Sequence, residues 1–263
     1  METEEQNLQI QGVLEALASI LGEAIHAVYL HGSAVSAGLQ PQSDIDLLAV
    51  TGRPMSPWER QELLSRLLIL SGPHPRKAKQ PRCLELLVFA GTNDLMQSYP
   101  AQADFVYGEW LRPELAAGAV PGVVRDPENT LILAQVRRES VSLMGPQASS
   151  LLPAIPQETI RLAIGDALPM LLSGLPGDER NVLLTLARMW RTAQIGDFAS
   201  KADAADWAVP KMPIMEADTL DYARRAYLGE IVDAWNDKQD AAHAAAEFLR
   251  DRVLECLQTT FDQ

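Results

Sequence analysis

The chain has 263 residues, 47% hydrophobic and 22% charged, with a formal net charge of −13. That length allows two modest domains, each with its own core. The acidic balance argues against a broad nucleic-acid-binding surface, which needs clustered Lys and Arg, and suits attraction of a cationic small molecule.

Residues 1–7 are acidic and polar, unlike a secretory signal, and no apolar run approaches the length of a membrane span. Leu8, Ile10, Val13, Leu14, Leu17, Ile20 and Leu21 recur at helical spacing up to Gly22, which predicts an amphipathic opening helix. A strand is expected over 27–30. His31-Gly32-Ser33 follows it, and ten residues later comes Asp44-Ile45-Asp46 at the start of an apolar, β-prone run over 45–50.

This stretch organises the rest. Residues two apart in a strand point to the same face, so Asp44 and Asp46 project together. Two carboxylates so close repel unless a cation joins them, and oxygen ligands suit Mg²⁺. The Gly32-Ser33 turn offers backbone N–H groups and a hydroxyl to a phosphate. Phosphate donors beside a metal-binding pair are the parts that hold a nucleoside triphosphate.

Ser56-Pro57-Trp58-Glu59 reads as a capping box with Pro at the first helical position, opening a helix to about residue 70. The loop 73–82 carries Arg76, Lys77, Lys79 and Arg82. It is read as a solvated loop, with phosphate contact as the alternative. A third strand is expected over 83–89. Glu85 sits inside it as a general base or third metal ligand, or else faces solvent from an edge strand. Tyr99, Phe105, Tyr107 and Trp110 form an aromatic, irregular stretch read as core, with one ring available to a pocket mouth. Asp126-Pro127-Glu128 opens a helix expected to reach Gly145-Pro146, followed by a linker over 146–156.

Beyond it no strand is expected. Helices are read near 158–173, with Pro169 kinking or ending it, and over 179–195, 216–236 and 239–257. Asp178 suits an N-cap and equally a carboxylate held at a helix start facing the acidic site across a cleft. The fold class is therefore α+β: a mixed sheet with helices over 1–150, then an all-helical bundle over 151–263. Cys83 and Cys256 are distant in sequence and form neither a metal spacing nor a disulfide framework, as in a reduced, cytoplasmic chain.

The Gly32-Ser33, Asp44-x-Asp46 and Glu85 constellation resembles the nucleotidyltransferase superfamily, whose fold is like the polymerase β palm. The residues of 31–39, 43–48, Gly108-Glu109-Trp110, Gly177-Asp178-Glu179-Arg180-Asn181, 204–208 and 225–229 narrow the resemblance to the aminoglycoside (3″)(9) adenylyltransferases. That resemblance implies transfer of AMP from Mg-ATP to a hydroxyl of streptomycin and spectinomycin. It implies that Asp44 and Asp46 hold Mg²⁺, with Glu85 as a third metal ligand and as the base that meets the substrate hydroxyl. Gly32, Ser33, Ser43, Arg188, Lys201 and Tyr227 would contact ATP, and Trp110 and Asp178 the drug. His31 stands where the superfamily usually has an apolar residue, and neither it nor the basic loop is expected to touch the acids. A monomer is expected, binding ATP and an aminoglycoside or aminocyclitol, with no nucleic acid and no membrane. The competing readings are a nucleotidyltransferase acting on protein and a non-catalytic ATP- or drug-binding module.

Overall fold

A computed structural model describes residues 2–36, 38–74, 80–91 and 96–259. The chain divides into two compact units, residues 1–155 and 156–263.

The first unit opens with helix α1 (Glu2–Leu21), strand β1 (Ile25–His31) and a single helical turn α2 (Ser33–Ser36). Strand β2 (Ile45–Thr51) returns antiparallel to β1, with Leu30 opposite Leu47 and His31 opposite Asp46. Helix α3 (Pro57–Leu70) then carries the chain across to β3 (Leu84–Ala90), parallel to β2. The expected capping box is present: Ser56 Oγ accepts from the Glu59 N–H at 3.3 Å, and Glu59 Oε2 accepts from the Ser56 N–H at 2.6 Å. Arg53 clamps the same carboxylate at 2.6 and 2.9 Å.

A small ribbon pairs β4 (Gln102–Ala103) with β6 (Val124–Arg125), flanking β5 (Phe105–Tyr107) and α4 (Arg112–Ala116). Asp126 accepts from the Glu128 N–H and caps α5 (Pro127–Arg138), which stops there instead of reaching Gly145. Residues Val141–Met144 instead form strand β7, which pairs antiparallel with β1. The main sheet has the order β5-β3-β2-β1-β7 among the described residues.

Alternation along the strands gives the sheet two apolar faces. Ile45, Leu47, Leu84, Leu86 and Val28 pack with residues of α1 and α3, including Leu17, Leu63 and Leu67. Tyr29, Leu48, Leu87 and Phe89 pack with Leu133 and Val136 of α5. The segment expected as a linker belongs to this second core. It holds the turn α6 (Ala148–Leu151), and Ala148 and Leu152 are buried in the cluster. This anchoring moves the division of the chain to residue 155.

The second unit is helical throughout its described residues: α7 (Gln157–Ser173), α8 (Glu179–Ile195), α9 (Lys201–Ala208), α10 (Ile214–Tyr227) and α11 (Gln239–Gln258). Pro169 does not end α7, which runs on for one more turn. The eight-residue α9 was not expected as an element, and α10 stops at Tyr227, well short of residue 236. Helix α8 is the central one, contacting each of the other four. Its Trp190 meets Trp207 of α9 and Phe248 of α11 edge-to-face, with ring centroids 4.9 and 6.2 Å apart. No described helix is long and apolar enough to cross a membrane.

Candidate active site

Three neighbouring strands place one polar residue each in a single row. His31 on β1 is the register partner of Asp46 on β2, and Asp46 is the partner of Glu85 on β3. All three continue the face that carries Tyr29, Leu48 and Leu87, so the row closes off the second apolar core. The expectation that His31 stays away from the acids is corrected here. His31 lies directly across from Asp46, and is 4% exposed.

Asp44 immediately precedes β2, in the alternation that puts it on the same face as Asp46. The Ile45 N–H donates to the Cys83 carbonyl at 2.9 Å and fixes this register at the strand entry. Burial pushes the Cys83 thiol up to about 12, reinforced by Asp44, to which it is hydrogen-bonded, and by Glu109. Cys83 is therefore an inert thiol.

Gly32 follows β1 with φ +64°, and a side chain there would overlap the Asp46 carboxylate. Two demands meet at this glycine, since left-handed backbone disfavours other residues and Asp46 fills the space where Cβ would be. The Ser33–Ser36 turn hangs on the Gly32 carbonyl, which accepts from the Val35 and Ser36 N–H groups at 3.2 Å. Ser43 braces the return, its hydroxyl accepting from the Gln40 N–H at 3.0 Å.

Arg82 corrects the reading of the basic loop. It is buried, 3% exposed, and donates to the carbonyls of Gln40 and Ser43 at 2.8 and 2.9 Å. It holds the segment leading into Asp44. Arg76, Lys77 and Lys79 lie outside the described residues.

Beyond β5, the indole of Trp110 folds back over Gly108 and is 60% exposed. Phe105 and Tyr107 are core residues. Glu109, between the two ends of this turn, points inward. It accepts from Tyr107 Oη at 2.9 Å, from Arg112 at 2.8 Å and through a second guanidinium nitrogen, and from the Ser71 hydroxyl. Burial acts to raise its pKa, but these hydrogen bonds outweigh that and leave the carboxyl below its ordinary value.

In the helical unit, Asp178 is not the side-chain cap expected of it. Its φ and ψ of −135° and 35° give no cap hydrogen bond. Its carboxylate instead accepts from Asn181 Nδ2 at 2.7 Å. Glu179 and Arg180 turn inward: Glu179 accepts from the Gly177 N–H and from Gln239, and Arg180 pairs with Asp233 at 2.8 Å. These two fasten the start of α8, leaving Asp178 and Asn181 outward.

From Glu179 to Ala193, α8 is buried except at Asn181, Thr185, Arg188 and Arg191. That spacing forms one polar stripe on the central helix. Lys201 at the start of α9 donates to Asn181 Oδ1 at 3.3 Å and sits 5.8 Å from the ring centroid of Tyr227. Asp178, Asn181, Lys201 and Tyr227 are thus contiguous, and Arg188 lies two turns along the same stripe.

The spectinomycin 9-adenylyltransferase of Staphylococcus aureus (strain Mu50 / ATCC 700699) is 40% identical over 240 residues, which cover 91% of this chain and 92% of the relative. The chain belongs to the aminoglycoside adenylyltransferases. It is 32% identical over 251 residues to the aminoglycoside (3″)(9) adenylyltransferase of Escherichia coli, covering 95% of each. The family model for the aminoglycoside adenylyltransferase C-terminal domain matches residues 150–252. The spectinomycin adenyltransferase AAD(9) from Enterococcus faecialis, solved with ATP and spectinomycin, superimposes with a TM-score of 0.88. The two are 28% identical, covering 95% of this chain and 99% of that one. The expected α+β order, sheet first and helices after, is the architecture of this neighbour.

That neighbour was solved with ATP, and the acids of this chain can be asked whether they suit the Mg²⁺ that accompanies a triphosphate. No three His, Cys, Asp or Glu side chains among the described residues are grouped so as to hold a metal ion by themselves. Mg²⁺ does not require such a cage, because it is commonly held by one or two carboxylates with substrate phosphates and waters completing the shell. Asp44 and Asp46 on one face, with Gly32 keeping the Asp46 carboxylate clear, fit that partial donor set.

Sequence reasoning gave no role to Glu109 or Asn181, and read Arg82 only as one cation of the basic loop. Glu109 and Asn181 lie inside the 108–110 and 177–181 motifs, but the partners that engage them, Ser71 and Lys201 among them, are distant in sequence.

Proposed function

We propose that the protein transfers AMP from Mg-ATP to a hydroxyl of spectinomycin and of streptomycin, the 9 and 3″ positions respectively, releasing pyrophosphate. The observation that carries this reading is the row of Asp46 and Glu85 on adjacent parallel strands beside Gly32, in a chain whose relatives are named for this reaction.

Asp44 and Asp46 hold Mg²⁺, which when bound neutralises triphosphate charge. Gly32 and Ser33 meet the phosphates, with Ser43 ordering the approach to Asp44. From the helical unit, Arg188, Lys201 and Tyr227 contact the nucleotide. Glu85 takes the proton from the drug hydroxyl as its oxygen bonds to the α-phosphorus and the bond to pyrophosphate breaks. Most of the rate then comes from alignment and electrostatics. Trp110 and Asp178 engage the drug, the Asp178 carboxylate pairing with the drug's guanidinium or amine groups. The enzyme acts as a monomer in the cytoplasm.

A second reading, spectinomycin alone, is favoured by the higher identity to spectinomycin 9-adenylyltransferases, 40% against 32% for the dual-named relative. Pyrophosphate release with Mg-ATP and, separately, streptomycin, spectinomycin and kanamycin, with product mass, decides between them. Adducts of one AMP with the first two drugs and none with kanamycin support the proposal. An adduct with spectinomycin alone selects the second reading. No adduct with any drug overturns both.

A further inference from the structure

Trp110 presents a problem of mechanics. Its ring is 60% exposed, so its own packing contributes little to holding it. Yet it lies against Gly108 so closely that a Cβ on that glycine would overlap the six-membered ring. Something other than burial of the indole must fix the turn.

The residue between them is the one anchored. Glu109 receives bonds from Tyr107 on β5, Arg112 on α4 and Ser71 at the end of α3. Its side chain is 6% exposed and forms an ion pair with Arg112. Arg112 also donates to the Ser71 carbonyl at 2.9 Å, and the Ser71 hydroxyl accepts from the Leu84 N–H at 3.0 Å. Leu84 is the residue before Glu85. One buried carboxylate therefore ties the turn bearing Trp110 to the entry of the strand bearing Glu85.

We propose that Glu109 is a positioning residue for the drug, setting the orientation of the Trp110 indole relative to the β3 acid through the Ser71, Tyr107 and Arg112 hydrogen bonds. This rests on the reading of Trp110 as a drug contact. A purely structural carboxylate would stabilise the fold without steering the ring. A buried, multiply bonded anion adjacent in sequence to an exposed ring does both, because few backbone torsions separate the anchor from the indole.

The test uses the full chain labelled with 5-fluorotryptophan, with the Trp110 fluorine line assigned by its loss in Trp110→Phe. Glu109→Gln keeps the shape of the side chain and removes the charge. Ser71→Ala keeps the ion pair and removes the hydroxyl that bonds Glu109 and accepts from the Leu84 N–H, and serves if Glu109→Gln fails to fold. The expected result is a moved or broadened Trp110 line in both variants, with the KM for spectinomycin raised about fivefold and that for Mg-ATP changed less than about twofold. An unmoved Trp110 line overturns the proposal whatever happens to activity. A moved line with unchanged drug KM supports the positioning role of Glu109, and overturns instead the assignment of Trp110 to the drug.

Discussion

Gly32 and Asp46 occupy each other's space. A Cβ on Gly32 would lie 2.8 Å from Asp46 Cγ and closer still to Oδ2, at a backbone φ of +64°. The turn that follows β1 and the acid at the start of β2 are thus built as one piece. Gly32→Ala has two ways to relieve the overlap, rotating the carboxylate or shifting the turn, and both disturb a site that depends on alignment. A displacement of this kind costs about 100-fold in kcat/KM. The strained φ adds about 1 kcal/mol of destabilisation. Steady-state kinetics on the purified variant check this, and activity within threefold of the parent would remove Gly32 from the site.

Acid stability has a specific local source in Glu59. The Arg53 guanidinium hydrogen-bonded to it holds its carboxyl down to about 2 from 4.5; burial opposes this, and the Ser56 bonds add to it. A depressed folded-state pKa gives stability that is fully present above the unfolded value and lost as pH falls through the folded one. The loss therefore falls between about pH 4.5 and pH 2. Glu59→Gln should lower stability at pH 7 by about 1–2 kcal/mol, and its unfolding free energy should decline less steeply across that window. Urea unfolding from pH 2 to pH 7 checks the slopes, and parallel curves for the two proteins would sink the assignment.

The acids were legible because their chemistry is local. Asp44 and Asp46 are two residues apart in an apolar run, and the Ser56 capping box is contained in four residues. What the sequence concealed depends on distant partners. Arg82 reads as one more cation in a basic loop until the carbonyls of Gln40 and Ser43 meet it. Val141–Met144 is too short to signal a strand, and becomes one by pairing with β1. Asp178 has the composition of a cap, but its backbone at ψ 35° points the carboxylate at Asn181 instead. Glu109 was passed over in favour of Trp110, since nothing near it in sequence tells of Ser71 or of its burial.

Glu85 can be separated from Asp44 and Asp46, the proposed metal ligands, by what its neutral analogue retains. Glu85→Gln keeps the size of the side chain in the row beside Asp46, so Mg-ATP should bind with an affinity within about threefold of the parent. Turnover should fall by about 100- to 10,000-fold, the range a general base contributes. Calorimetric titration of Mg-ATP and a pyrophosphate-release assay give the two numbers. Near-normal turnover would take the role of base away from Glu85, whereas lost nucleotide binding would make it part of the phosphate and metal site.

Drug preference should divide along the residues of the Asp178 cluster and Trp110. Streptomycin carries guanidinium groups that pair with a carboxylate in bidentate fashion, and it offers more surface to an indole than spectinomycin does. Asp178→Asn removes the charge while leaving a group able to keep the 2.7 Å bond with Asn181, so the start of α8, fastened separately by Glu179 and Arg180, should stay in place. Both Asp178→Asn and Trp110→Ala should lower kcat/KM for streptomycin by about tenfold or more, the scale of one charge-assisted contact. Spectinomycin should lose less than about threefold. Parallel assays with the two drugs on each variant provide the ratio. Equal losses for both drugs would mean that these residues serve a shared part of the reaction, and would leave the choice between the drugs to residues elsewhere on the chain.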